Sequence, residues 1–430
     1  MTKYITIGKF NKNYKYFLLH IFFSLLNEFL FLPSDIKFFS ENKFTQSIIN
    51  YLGTFIISII FLRYEIYQRK HMMQATNEKI EPIKTLRAIP LHTINDEKTH
   101  EKILFNETDL KGKISTLKIM LIAFLFVLQV QLMNVYHSLG LSGIDYWMFE
   151  LLFISFLMQE KLGISLDIHK KFSIYFILIF STIFKFLSSV MIFKDEDMEK
   201  IYKEHIFVIP LAIISYIFIT FLRSYVNYQL KYFFDLRYVS IYGFLVFFSL
   251  IGVIISSIFC IIATNIECTK SSDLSDFIED ICQVHIVNDD NSKDYYYDKF
   301  STYFEKLKSK GSNFIFLMLK IIISFLTNLF PLLIIQKLEP VYYICTNSLF
   351  YFILQILGLF DGIEVYSIFE IIAEIFAIIG ISIYLELIEL NFFGLNHDLK
   401  KNIIERSIED LSLNDKKRTS STDSGDIPFV

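Results

Sequence analysis

Four ionisable residues inside apolar runs carry the most chemical information in this chain. Glu370 and Glu374 are four positions apart, so a helix would present both carboxylates on one face. Lys185 and Lys320 lie within two other apolar runs. An ionised side chain in hydrocarbon costs at least about 2.5 kcal/mol, which makes each of the four a candidate binding residue.

Two interpretations of these charges stay open. A Lys–Glu pairing that faces a polar cavity would offset the cost and would suit an anionic or zwitterionic solute. Alternatively, both lysines snorkel to the membrane surface and have no role in binding. Glu374 lies nearer the middle of its run, which favours a functional role for that carboxylate.

Weaker candidates are uncharged or lie near the end of an apolar run. Gln131 and Asn134 are three positions apart and share a helix face, so they either line a pore or form interhelical hydrogen bonds. Such bonds contribute about 0.6 kcal/mol on average. Glu28, in the first run, and Glu150, in the fourth, are similar but weaker candidates, and Glu28 is included among the residues expected to bind a solute.

The elements that position these residues are ten apolar runs. A membrane span needs about 20 apolar residues, and the backbone must then be helical because no water is present to satisfy it. The composition agrees, with 53% hydrophobic and 20% charged residues and a mean hydropathy of +0.45. The sequence therefore predicts an all-α integral membrane protein with spans at 16–32, 46–66, 117–139, 143–160, 172–193, 205–222, 240–264, 313–336, 341–360 and 364–389.

The distribution of Lys and Arg predicts the orientation of these spans. With the N-terminus in the cytosol, 28 of the 41 basic residues are cytosolic and 11 lie on the opposite side. The bias towards the cytosol places both termini there and requires an even number of spans.

The predicted spans divide the chain into three parts. Residues 1–193 form a first helical half with a cytosolic loop at 67–116, and residues 194–389 form a second half with a luminal loop at 265–311. Residues 390–430 form a cytosolic tail whose distal part is expected to be disordered. Since five is odd, two five-span halves would enter the membrane with opposite orientation, as in inverted-repeat transporters.

Two cysteines fall in the predicted luminal loop. Cys268 and Cys282 are 14 positions apart, and an oxidising compartment would allow them to form a disulfide. The alternative, two unrelated free thiols, stays open.

Three stretches resemble the drug/metabolite transporter superfamily, especially its nucleotide-sugar-transporter-like members. They are Tyr146–Leu187, Ala212–Ile258 and Glu364–Arg406. The first is similar to the fourth and fifth spans of that family with their short cytosolic turn, the second to a span, a hinge and a long span, and the third to the last span and its exit. The resemblance implies ten spans and a 5+5 inverted repeat.

The expected function is that of a solute carrier that moves a small polar metabolite by alternating access. The alternative is a structural or receptor-like membrane protein that does not transport. A distinguishing feature is whether spans 1, 3, 8 and 10 surround one polar cavity that contains Glu374.

An integral-membrane enzyme is not expected, because serine-hydrolase, zinc-protease and Walker A motifs are absent from the sequence. No catalytic residue, metal site or cofactor is predicted. The expected partners are the lipid bilayer and a small solute, without nucleic acid, and self-association is left open. The expected location is an endomembrane (Golgi, endoplasmic reticulum or vacuole) or the plasma membrane.

Overall fold

The computed structural model describes about two thirds of the chain, almost all of it helical. The described residues are 5–7, 14–29, 42–75, 116–138, 148–162, 168–192, 208–236, 239–265, 284–287, 293–296, 298–358, 365–390 and 395. Most of the predicted cytosolic loop at 67–116, the cysteines at 268 and 282, and the tail beyond 395 lie outside this part of the chain.

Within the described ranges, ten apolar helices, α1–α10, overlap the ten predicted spans. They are α1 (Tyr14–Phe29), α2 (Lys43–Ala75), α3 (Thr116–Ser138), α4 (Met148–Leu162), α5 (Ile168–Phe176, Ile177–Ser181 and Thr182–Ile192 in succession), α6 (Val208–Leu236), α7 (Ile241–Asn265), α8 (Ser312–Lys337), α9 (Pro340–Gly358) and α10 (Val365–Tyr384).

Six of these helices, in the part of the chain that the structure describes, are long and apolar enough to cross a membrane. They are α2, α3, α5, α7, α8 and α9. Exposed large apolar side chains cover their outer surfaces, as lipid contact requires. The protein is therefore an all-α membrane-embedded protein, and the count of ten crossings stays a prediction.

The helix bounds differ from the predicted spans at two informative places. α6 continues through Arg223 to Leu236, although the predicted span ends at 222. Its buried residues Val226, Leu230 and Phe233 continue the apolar stripe at helical spacing, so the helix does not end at the arginine. α10 ends at Tyr384 rather than 389, where the chain turns through a positive φ of 57° at Glu386.

Short strands join distant parts of the chain outside the helices. β1 (Ile5–Ile7) pairs antiparallel with β4 (Ile388–Leu390), so the segments before α1 and after α10 lie side by side. β2 (Val284–Val287) and β3 (Lys293–Tyr296) form an antiparallel hairpin. A short helix, the loop helix (Phe300–Ser309), follows the hairpin and leads into α8.

The principal helix contacts come in pairs that are related by a shift of five helices. The shift replaces each helix by the one five places further along, and α6 leads cyclically back to α1. The contact of α1 with α8 then corresponds to that of α6 with α3, and the contact of α3 with α7 to that of α8 with α2. Likewise α4–α6 matches α9–α1, and α4–α5 matches α9–α10. The contacts α2–α7, α5–α10 and α4–α9 are their own counterparts under this shift. The correspondence is partial, because α8 also packs against α6, α7 and α9 in the described structure without matching contacts of α3.

A π-helical segment in α5 accompanies its close contact with α10. The segment Ile177–Ser181 adds a residue to one turn, and a Cβ atom at Gly380 of α10 would lie only 2.2 Å from Cγ1 of Ile177. The hydroxyl of Ser173 donates a hydrogen bond to the carbonyl oxygen of Gly380 at 2.5 Å. Such π segments often occur at functional sites, and this one ends one turn before Lys185.

Gly252 is expected to be irreplaceable at the contact between α7 and α2. A Cβ atom there would lie 2.5–2.7 Å from ring carbons of Tyr51, which is buried against Phe248. We expect Gly252→Ala to lower the melting temperature in detergent, because overpacking of this kind costs about 1–3 kcal/mol.

Gly243, nine positions earlier in the same helix, is the matched control. Its Cβ atom would meet Ser240 at an ordinary 3.6 Å, so Gly243→Ala is expected to keep or raise the melting temperature through better helix propensity. Equal melting temperatures for Gly243→Ala and Gly252→Ala would contradict the close approach.

Asp298 caps the first turn of α2 from more than 250 residues away in sequence. Its Oδ2 accepts hydrogen bonds from the backbone N–H groups of Phe44 and Thr45 at 2.8 and 3.0 Å, and its Oδ1 accepts one from the Thr45 hydroxyl at 2.6 Å. Asn42 accepts a further bond from the Lys299 N–H at 3.0 Å. These bonds fasten the chain before the loop helix to the start of α2.

The capping role predicts different effects for two substitutions of Asp298. Burial raises the pKa of this carboxyl group, and the bonds from Thr45 and Phe44 oppose that shift. What the cap supplies is mainly an acceptor oxygen, which Asn retains. We expect Asp298→Ala to cost about 1–2 kcal/mol, seen as a lower melting temperature, and Asp298→Asn to cost clearly less. An equal loss for both would argue against the cap.

Candidate functional site

Three helices bring together a lysine and two glutamates in what we call the α5–α10 cluster. Lys185 of α5 lies between Glu370 and Glu374 of α10, with Nζ–Oε1 distances of 3.8 and 3.6 Å. On α9, Ser348 donates to Oε2 of Glu374 at 2.7 Å and Gln355 donates to Oε2 of Glu370 at 2.9 Å. The Glu374 side chain is 1% exposed and that of Lys185 is 6% exposed.

This geometry selects between the two interpretations of Lys185. Its buried ammonium group lies within 4 Å of both carboxylates, so the structure has the Lys–Glu pairing rather than a lysine that extends to the surface. A polar cavity beside the pair stays a prediction. Glu370 and Glu374 share a face, as their spacing predicts. A single ammonium group shared by two carboxylates holds α5 and α10 together, and burial strengthens that attraction.

Lys320 and Glu28 lie elsewhere. Lys320 is on α8, which packs against α1 and α2, and the charge of Glu28 near the end of α1 acts on it. The structure therefore separates this lysine from the glutamates of α10 with which the sequence grouped it.

Gln131 makes an interhelical hydrogen bond, which is one of the two roles that the sequence left open for it. Its Nε2 donates to the hydroxyl of Ser256 on α7 at 3.1 Å, and the side chain is fully buried. Its Oε1 and that of Gln129 have no hydrogen-bond partner in the described structure. The side chain of Asn134, like the cysteines at 268 and 282, lies outside the described residues, so its role stays a prediction.

A second charged group, which we call the central cluster, joins α4 to α6. Arg223 Nε lies 3.3 Å from Oε2 of Glu150, whose side chain is 2% exposed. Nδ2 of Asn227 donates to Oε1 of the same carboxylate at 2.9 Å. The Ser224 hydroxyl donates to the backbone carbonyls of Glu150 and Thr220. The carboxylate is thus held from one side by two residues of α6.

Aromatic side chains complete the central cluster. The Arg223 guanidinium lies over the ring of Tyr343 on α9, 5.4 Å from its centroid, and His20 of α1 lies 5.8 Å from the same ring. α1, α4, α6 and α9 form a set that the five-helix shift maps onto itself. The central cluster therefore lies where the two halves of the chain meet.

Sequence reasoning rated Glu150 as a weaker candidate and missed Arg223. A lone arginine after an apolar run usually marks the end of a span, and it was counted as cytosolic for that reason. The signal that could have found it is the apolar stripe that continues through Leu230 and Phe233 in α6.

The polar candidates are distributed over separate helix pairs. Glu28 and Lys320 lie on α1 and α8, Gln131 on α3 against α7, and Glu374 in the α5–α10 cluster. Spans 1, 3, 8 and 10 thus do not gather around Glu374 in the described structure. That arrangement is the one expected of a protein that does not transport, whereas the central cluster lies at the meeting of both halves.

The described part of the chain holds no group of three or more His, Cys, Asp or Glu side chains arranged to bind a metal ion. In comparisons with known proteins, no protein-family model matches the chain and no curated protein is significantly similar to it in sequence. Fold and site together define a class, an all-α membrane-embedded protein with two buried charge clusters between its helices.

Proposed function

We propose that the protein is a multi-pass transporter of the drug/metabolite transporter kind that moves a small polar metabolite by alternating access. The observation that carries the proposal is the central cluster on α1, α4, α6 and α9, two helices from each half that pack against one another. Inverted-repeat transporters bind their solutes at such an interface near the midplane.

Alternating access would follow from a rocking of one half against the other about this interface. Buried charges are costly unless paired, so Glu150 and Arg223 keep the empty site neutral. The α5–α10 cluster would join the last helix of each half and limit how those helices separate. Lys185, Glu370 and Glu374 are then positioning residues, and a direct contact of Glu374 with solute stays a prediction.

The proposed topology has ten crossings with both termini in the cytosol. The excess of Lys and Arg on one side supports the orientation. The pairing of β1 with β4 supports an even number of crossings, because it holds the segments before α1 and after α10 together. An endomembrane or the plasma membrane is the proposed location.

The second candidate is a structural or receptor-like membrane protein that does not transport. One observation favours it, namely the dispersal of the polar candidates into separate pairs. In that case both charge clusters would only fix helix packing.

Uptake into proteoliposomes distinguishes the two candidates. The purified protein would be tested with labelled lactate, inorganic phosphate, choline and UDP-glucose, with and without a pH gradient. The transporter proposal expects saturable uptake of at least one probe, loss of that uptake in Arg223→Gln, and full uptake in Arg63→Gln, an exposed arginine of α2. Absence of uptake of every probe by folded protein would favour the second candidate.

A further inference from the structure

The guanidinium of Arg223 has more donors than its described contacts engage. Its contact with Glu150 is at Nε, and Arg223 makes no hydrogen bond to a further residue in the part of the chain that the structure describes. Its side chain is 17% exposed although it lies halfway along α6. An arginine offers five N–H donors in a planar fork, so one carboxylate leaves part of its binding capacity for a ligand.

We propose that Arg223 binds the anionic group of a small solute, a carboxylate or a phosphate, and that Glu150 occupies the arginine when the site is empty. This inference rests on the proposed transport function and names the class of substrate at the same site. A guanidinium group can donate two parallel hydrogen bonds to two oxygens of a carboxylate or a phosphate.

The surroundings fit such a ligand. Tyr343 lies against one face of the guanidinium, and Tyr216 and Tyr351 also act on it electrostatically. Tyrosines offer both an apolar ring face and a hydroxyl donor, so they can hold the body of a small organic anion. His20 lies beside the same Tyr343 ring and is buried, and its Nδ1 has no hydrogen-bond partner in the described structure.

Charge balance adds a proton to the binding reaction. A singly charged anion at Arg223 beside an ionised Glu150 would place two negative charges against one positive charge in a buried site. Binding is therefore expected to be accompanied by uptake of one proton from solution on Glu150, which leaves one anion paired with one arginine. The other titratable groups that face the arginine from the described helices are His20 of α1, Tyr216 of α6, and Tyr343 and Tyr351 of α9.

Equilibrium binding to the purified protein in detergent tests the inference without requiring transport. Isothermal titration calorimetry would use lactate, succinate and inorganic phosphate, with choline and glucose as non-anionic probes. We expect at least one anion to bind, more weakly as the pH rises, and the arms with carboxylate and phosphate distinguish the two ligand chemistries.

Two variants give opposite expected results. Glu150→Gln keeps an acceptor for Asn227, but its neutral side chain no longer competes with a bound anion for Arg223. If Glu150 occupies the arginine nine-tenths of the time, an anion should bind the variant about tenfold more tightly. Its binding should also lose the pH dependence. Arg223→Gln should abolish binding, and Arg223→Lys, which keeps the charge without the fork, should weaken it. Arg63→Gln should bind as the unaltered protein does.

The inference is overturned if none of the three anions binds, or if anion binding is unchanged in both Arg223 variants. Failure of the proposed function gives a different result, which is anion binding that depends on Arg223 without uptake of any probe into proteoliposomes. Uptake of choline without anion binding would instead retain transport and reject the anion site.

Discussion

Replacing Lys185 with Met is expected to destabilise the protein more than any other single change in the α5–α10 cluster. The substitution removes the ammonium group that contacts both Glu370 and Glu374. Their two carboxylates then lie near each other inside the protein without that positive charge. Removing one partner of a buried ion pair costs about 3–5 kcal/mol. The measurement is the melting temperature of the detergent-solubilised protein, followed by the loss of its monodisperse chromatographic peak.

A rescue and a control make this prediction specific. Adding Glu370→Gln and Glu374→Gln to Lys185→Met removes the unpaired charges and should restore much of the lost stability. Lys171→Met, at an exposed position of the same helix, should leave the melting temperature almost unchanged. If Lys171→Met and Lys185→Met behave alike, the cluster does not hold α5 to α10.

Replacing Arg223 with Met is the second prediction with a large effect. It leaves the Glu150 carboxylate buried beside Asn227 without the arginine, at a cost again of about 3–5 kcal/mol. Adding Glu150→Gln should recover the melting temperature, because a neutral amide can keep the hydrogen bond to Asn227.

The double variant separates the two candidate functions. In the transporter account, Glu150→Gln with Arg223→Met gives a folded protein without saturable uptake of an anion. In the structural account, the same variant is folded and indistinguishable from the unaltered protein in every assay. A double variant that stays unfolded would show that the pair contributes more than charge neutralisation, which would contradict the stability argument.

The α5–α10 cluster could be predicted in part because of a local rule. Glu370 and Glu374 are one helical turn apart, and the cost of a charge in hydrocarbon requires a partner for them. Which lysine supplies it depends on which helices are neighbours, and hydropathy carries no such information. Lys185 and Lys320 were equivalent in the sequence, and only the packing of α5 on α10 and of α8 on α1 distinguishes them.

The central cluster was missed for a different reason. The number and approximate position of the apolar helices follow from run length, but a charged residue inside a long helix imitates the end of a span. Arg223 lies midway between the ends of α6, and its partner Glu150 is 73 positions earlier in the chain. The strand pairing of β1 with β4 was equally unpredictable, because three-residue strands are too short to leave a clear pattern.

Sidedness labelling tests the central claim, that two five-helix halves meet with opposite orientation in the membrane. In a cysteine-free background, His100→Cys lies in the α2–α3 connection and Glu305→Cys in the α7–α8 connection, which the five-helix shift makes counterparts. Five crossings separate them, so a membrane-impermeant maleimide on sealed, oriented vesicles should label one directly and the other only after permeabilisation. Labelling of both from the same side would contradict the inverted halves and the ten-crossing topology together.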